Sequence, residues 1–275
     1  MPKDLRQFLA ELEKKLPDEI VHVKRKVDPK FELPAVLRKL QEEQRYPAAV
    51  FHNVKNSAFP VVSNIFSSTN RLALALSADP DNLIQDYLKL EGELIKPKVL
   101  RKAPVQENVI SGTKVDLSKL PIVTHCEKDG GPYVTSGVAV MKNPETGIYD
   151  VGIFRMQVQG KNNFGCLYGA YSKAARIIAM NDANNKPTEV AIFIGHHPAC
   201  VLTSQTKVPV DPDEFWVMGG FLGEAIELVQ AKSIDVLVPA RAEFVLEGVI
   251  PPNTLVPEGP FGEYPWYYGL ERRSN

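Results

Sequence analysis

The chain has 275 residues, 44% of them hydrophobic, enough for one large domain or two ordinary ones with a real core. Its 32 basic and 33 acidic residues leave a net charge of -1, which excludes a global field that would draw it to nucleic acid or an anionic membrane. No run approaches about 20 apolar residues, so no membrane span is expected, and MPKDLRQFLAELEKK interleaves charge with apolar positions unlike a signal peptide.

Leu5, Phe8, Leu9 and Leu12 fall at helical spacing behind Asp4, predicting a short amphipathic opening helix. The apolar, branched run in QRYPAAVFHNV suits a buried strand, PVVSNIFSSTNRLALAL reads as strand, turn and helix start, and DPDNLIQDYLKLEGEL as a helix after an Asp-Pro entry. Together these make a small α/β module of about one hundred residues. From Lys96 to Pro121 prolines punctuate an extended segment, read as the connection to a second domain.

Beyond Tyr133, YVTSGVAVMK and YDVGIFRMQVQ predict a hairpin across the NPETG turn. A helix follows at YSKAARIIAMNDAN, then a strand at EVAIFIG, a helix at DEFWVMGGFLGEAIEL, and strands at IDVLVPA and AEFVLEGVI. The alternation predicts a mixed sheet or partly open barrel carrying helices, hence an α+β protein. Cys126, Cys166 and Cys200 are an odd number at wide spacing, which fits reduced thiols in a cytoplasm better than a disulfide framework or a CxxC metal site.

Two strings carry candidate chemistry. In EGPFGEYPWYYG, Glu258 and Glu263 flank a Gly/Pro loop beside aromatic rings, where a carboxyl can be tuned as a general acid; the plain alternative is a surface turn with two solvated acids. In YDVGIFRMQVQGK, Arg155 sits inside a half-buried strand and needs an anionic partner, either a substrate carboxylate or a structural ion pair, with Asp150 on the same strand. His196 and His197 adjoin in GHHPAC; neighbouring strand residues face opposite ways, so a polar turn or pocket lining is expected rather than joint chelation.

Read together, DLRQFLAELE, PVVSNIFSSTNRLALAL, VDLSKLPIVTHCEKDGGPYVTSG, GIFRMQV, VLVPARAEFVLEG and EGPFGEYPWYY follow the order and spacing of UbiD-type decarboxylases, and the chain resembles that family over nearly its whole length. The resemblance implies non-oxidative, reversible decarboxylation of an aromatic or α,β-unsaturated acid with prenylated flavin mononucleotide (prFMN). It implies an N-terminal α/β domain at 1-110 and a split β-barrel flavin-binding domain with helices at 111-275, with the family's C-terminal domain absent. The family's Glu-Arg-Glu set falls on Glu258, Arg155 and Glu263: Arg155 would hold the substrate carboxylate, Glu258 would orient it, and Glu263 would return the proton. Thr135 matches a position near the flavin phosphate, Ile153, Phe154 and Arg155 would line the flavin, and Tyr171 and Ser172 fall in the same cofactor region. A divalent ion, commonly Mn2+, would bind Asp150 and Glu214, with K+ as a further cation; the family's metal histidine would fall near Tyr171 or Ser172, yet no histidine stands between His125 and His196.

The partners so implied are a flavin prenyltransferase that supplies the cofactor and either further copies of the chain or a subunit supplying the C-terminal domain. A non-catalytic assembly subunit of such a complex is the alternative. A flavin reductase on a split barrel is a third reading, but it has no use for the Glu-Arg-Glu set.

Overall fold

The computed structural model describes residues 3–206 and 213–275. The opening helix α1 (Leu5–Lys15) is capped by Asp4, whose side chain accepts the Gln7 N–H at 2.8 Å, and it buries Phe8 and Leu12 as their spacing requires. A parallel pair follows, β1 (Ile20–Val27) and β2 (Ala48–Val54), joined by the crossover helix α2 (Glu32–Glu42), and β3 (Val61–Ser63) adds antiparallel to β2. Neither β1 nor α2 was expected. The polar outward positions of IVHVKRKV hide the strand, while α2 reveals itself through Leu33, Val36 and Leu37, which pack on Val27, Ala49 and Phe51.

Helix α3 (Thr69–Leu76) starts at the Ser68 cap, and α4 (Leu83–Glu91) follows the Asp-Pro entry as expected. Arg71 of α3 is 1% exposed. Its guanidinium donates to the carbonyls of Ile65, Tyr46 and Asn64 and pairs with Glu19, so one buried charge ties three loops to the helix and has the partners such burial demands.

Past β4 (Lys98–Leu100), the expected hairpin forms with a kink. Its inner part is β5 (Tyr133–Val134) against β8 (Met156–Val158), and its outer part is β6 (Val138–Lys142) against β7 (Tyr149–Ile153). Between the pairs Val134↔Met156 and Val138↔Ile153, three residues, Thr135 to Gly137, oppose two, Phe154 and Arg155. That mismatch is a bulge, which bends a strand and re-aims its side chains. β9 (Phe164–Cys166) pairs with β8 and completes a three-stranded sheet.

Helix α5 (Lys173–Ala183), capped by Ser172, leads into β10 (Thr188–Ile194), the short α6 (Pro198–Thr203) and α7 (Glu214–Leu222). β11 (Glu227–Gln230) pairs with β12 (Leu237–Pro239) and, in parallel, with β4. β13 (Phe244–Ile250) then completes a four-stranded antiparallel sheet in the order β13-β10-β6-β7. The period of two along β6 assigns its faces: Val138 and Val140 pack with Phe215, Val217 and Phe221 of α7, whereas Ala139 and Met141 pack with Ala174, Ile177 and Ile178 of α5. Burial on both faces explains why this strand is almost continuously apolar.

The chain ends in four short strands: β14 (Val256–Glu258) pairs with β17 (Arg272–Ser274), and β15 (Phe261–Gly262) with β16 (Tyr268–Gly269). The molecule is α+β, and among the described residues its sheets do not close into a barrel. The three cysteines are free, and no helix among the described residues is long and apolar enough to cross a membrane.

Candidate active site

Arg155 occupies the bulge of the kinked hairpin, and the loop from Glu258 to Glu263 lies against it. Arg155 Nε donates to Glu258 Oε1 at 2.9 Å and Nη2 to Glu258 Oε2 at 2.8 Å, a two-pronged fork, while Nη1 donates to Glu263 Oε1. The side chains differ in access: Glu258 is fully buried, Arg155 is 14% exposed and Glu263 is 29% exposed. Burial alone would weaken the arginine's hold on its proton, but the hydrogen bonds from Glu258 and Glu263 outweigh it and leave the pKa raised. Below the guanidinium lies the Phe261 ring, 4.9 Å away at its centroid, and Phe261 in turn packs on buried Tyr133 with centroids 4.6 Å apart. Burial, and then the neighbouring Glu258, push the Tyr133 phenol up and keep it neutral.

The carboxylate loop is fastened from the far side by side chains that sequence spacing does not reveal. Gly259 N–H donates to Gln157 Oε1 at 3.0 Å, and Gly130 N–H donates to the Pro260 carbonyl at 2.8 Å. Asp129 bridges two loops: Oδ1 accepts the Gly262 N–H at 2.8 Å, and Oδ2 accepts those of His125 and Cys126. A Cβ at Gly262 would stand 2.6 Å from Cys126 Sγ, so this position must stay bare for the loops to meet. Beyond Glu263, Trp266 lies over the Arg38 guanidinium of α2 at 4.1 Å, while Tyr264 stays 92% exposed.

Around the same bulge, Thr135 and Ser136 are exposed, Ile153 is half-buried, and half-buried Phe154 packs against Tyr168 at 4.7 Å. Exposed hydroxyls and an interrupted ladder beside a guanidinium fit the edge of a planar, hydrogen-bonding group such as a flavin. Tyr171 is 94% exposed, and the Ser172 hydroxyl is used as the α5 cap, accepting the Ala175 N–H at 3.1 Å. A concavity of about 290 Å3 lies elsewhere, lined by Asp18, Glu19, Arg45 and Ser68 among others.

The two expected metal ligands do meet, but with company. Glu214 Oε1 accepts Lys173 Nζ at 2.6 Å and its Oε2 accepts the Val151 N–H, while Asp150 feels both Glu214 and Lys173. Burial, reinforced by Glu214, pushes the Asp150 carboxyl up to about 7. With an ammonium and a backbone N–H on the two Glu214 oxygens, and no cluster of three His, Cys, Asp or Glu among the described residues, this donor set does not fit a divalent ion. Lys173 was missed in the sequence because nothing in SKAAR announces that its partner stands 41 residues away.

His196 and His197 follow β10 and are 4% and 3% exposed, and His196 borders a small concavity with Lys3, Glu224 and Arg241. His197 Nδ1 caps α6 by accepting the Ala199 N–H, and its ring packs edge-on against Phe8 of α1.

Residues 98–275 match the 3-octaprenyl-4-hydroxybenzoate carboxy-lyase Rift-related domain (UbiD), and residues 9–91 match the N-terminal domain of the same carboxy-lyase. A Synechocystis protein described as the uncharacterized protein sll0936 is 31% identical, over 98% of this chain and 58% of its own length. The UbiD-class enzyme HmfF from Pelotomaculum thermopropionicum, in complex with FMN, is 33% identical with a TM-score of 0.91, covering 98% of this chain and 60% of that one. Its evolved dimeric form with prFMN, also 33% identical, gives a TM-score of 0.93 over 99% and 63%. Vanillic acid decarboxylase from Sedimentibacter hydroxybenzoicus, in closed form, is 31% identical with a TM-score of 0.92, over 100% and 60%. The chain thus spans about six tenths of the length of the relatives it matches.

Proposed function

The chain belongs to the UbiD carboxy-lyase family, and on that footing we propose that it carries the acid-base machinery of a prFMN-dependent decarboxylase acting reversibly on an aromatic or α,β-unsaturated acid. The observation that supports this most is the unequal grip on Arg155, two contacts from a fully buried carboxylate and one from a more accessible carboxylate. Glu258, dry and bidentate, fixes the plane of the guanidinium. Glu263, held through a single nitrogen, is the partner that an incoming carboxylate displaces at Nη1. The substrate anion then takes Nη1 while Glu258 keeps Nε and Nη2, and the freed Glu263, having lost its counter-charge and taken a proton from solvent, is positioned to pass that proton to the carbon that loses carbon dioxide.

A bound prFMN would be held by Thr135, the 153–155 backbone, Tyr171 and Ser172, and would supply the sink for the electrons left when the C–C bond breaks. Thr135 and Ser136 are exposed in this chain, so we include in the reading a further polypeptide, a second copy or another subunit, that covers this face.

The test is to co-express the chain with a flavin prenyltransferase and assay carbon dioxide release from a panel of aromatic and unsaturated acids. Arg155→Lys keeps a cation against buried Glu258 but removes the fork. The expected result is turnover by the parent chain and a rise of about tenfold or more in KM for the variant, at equal flavin content. Unchanged KM would remove Arg155 from substrate binding. Full flavin loading with no turnover on any acid, alone or with the covering subunit, would favour the assembly-subunit alternative.

A further inference from the structure

The ends of three elements converge at Glu214. It is the first residue of α7, Lys173 is the first residue of α5, and Asp150 lies on β7. Glu214 is 5% exposed, and a carboxylate buried to that degree requires a counter-charge close by. Lys173 Nζ supplies one at 2.6 Å from Oε1, and Oε2 is committed to the Val151 N–H. Ser172, where a third ligand would be sought, spends its hydroxyl on the α5 cap. A hard divalent ion needs several oxygens aimed at one point, and here both Glu214 oxygens and the Ser172 hydroxyl serve other partners, which leaves Asp150 alone to offer a carboxylate.

We propose that Lys173 is the resident cation of this pocket, balancing the Glu214 carboxylate beside Asp150 in the position where a divalent metal ion would otherwise be held. The lysine ammonium is a compact, strongly charged group, so it brings positive charge to the site without the octahedral oxygen set that Mg2+-like ions demand. The inference rests on the flavin reading only for its consequence, that an anionic cofactor group here is balanced by Lys173 rather than by metal.

Mn2+ alone is the probe, so neither flavin nor substrate enters the test. The 275-residue chain and its Lys173→Met, Lys173→Arg, Glu214→Gln and Lys173→Met/Glu214→Gln variants are titrated with Mn2+, free ion being counted by electron paramagnetic resonance and folding checked by circular dichroism. The expected result is no stoichiometric site in the parent chain or in Lys173→Arg, and one site at least about tenfold tighter in Lys173→Met that disappears in the double variant. One equivalent of Mn2+ bound by the parent chain and lost in Glu214→Gln would overturn the proposal, even if Lys173→Met fails to fold. So would a folded Lys173→Met that gains no site. Either result leaves the carboxy-lyase reading to its own assay.

Discussion

Glu258 and Glu263 bind the same arginine, yet substitution should separate them. Glu258→Gln leaves the guanidinium, 14% exposed, facing a neutral amide at a fully buried position, and breaking such a pair costs roughly 3–5 kcal/mol at most. Glu263→Gln removes one contact at a partly solvated rim and should cost no more than about 1 kcal/mol. Thermal melts of the two variants check this ordering; equal losses would mean that Glu263 is as structural as Glu258. All three charged residues were visible in the sequence because an arginine within an apolar strand and two glutamates around a Gly/Pro loop are each locally odd. Lys173, Tyr133 and Phe261 were not, since what makes them matter is contact across the fold rather than their immediate neighbours.

At the scale of elements, the bulge in the hairpin and the fastening of the carboxylate loop position the site. YVTSGVAVMK and YDVGIFRMQVQ were each read as one strand, and each is two, because the three-against-two mismatch at Thr135–Gly137 breaks the ladder where alternation of side chains gives no sign of it. Likewise DEFWVMGGFLGEAIEL is not one helix: α7 stops at Leu222, where Gly223 takes a left-handed conformation at φ 69°, and ELVQ continues as β11. The element-scale prediction concerns Asp129, which joins the 125–129 loop to the Glu263 loop through three backbone N–H groups. Asp129→Ala should lower turnover several-fold and lower stability by about 1–3 kcal/mol, with Asp129→Asn recovering much of both. A variant with parental turnover would show that Glu263 holds its place without this clamp.

Across the whole molecule, one core runs through both halves of the chain: Leu76 and Ala103 share a cluster with Phe215, Phe221 and Val238, and β4 joins the sheet of β11 and β12. The class and most elements were legible, because burial on one or two faces writes itself into hydrophobic period; which elements share a core was not, because pairing is long-range. His196 and His197 sit in that interior near α1, where burial lowers them to about 4 and about 3. Both folded values lie below the unfolded value of about 6.5, so the unfolded chain takes up protons first as pH falls and stability is lost between about pH 6.5 and about 3, the lower of the two folded values. Denaturant unfolding at pH 7.5 and 5 should differ by on the order of 2–4 kcal/mol from these two groups. His197→Asn, which keeps a capping acceptor, should reduce that difference by about half; an unaltered pH slope would show that His197 does not contribute.

The most direct test of the central claim follows the proton. In deuterated water, a chain loaded with prFMN should exchange the product's hydrogen at the carbon that had borne the carboxylate, and Glu263→Gln should slow this exchange by about a hundredfold or more at unchanged flavin content. Exchange at the parental rate in that variant would contradict the account, because the proton would then reach carbon by a route that does not pass through Glu263.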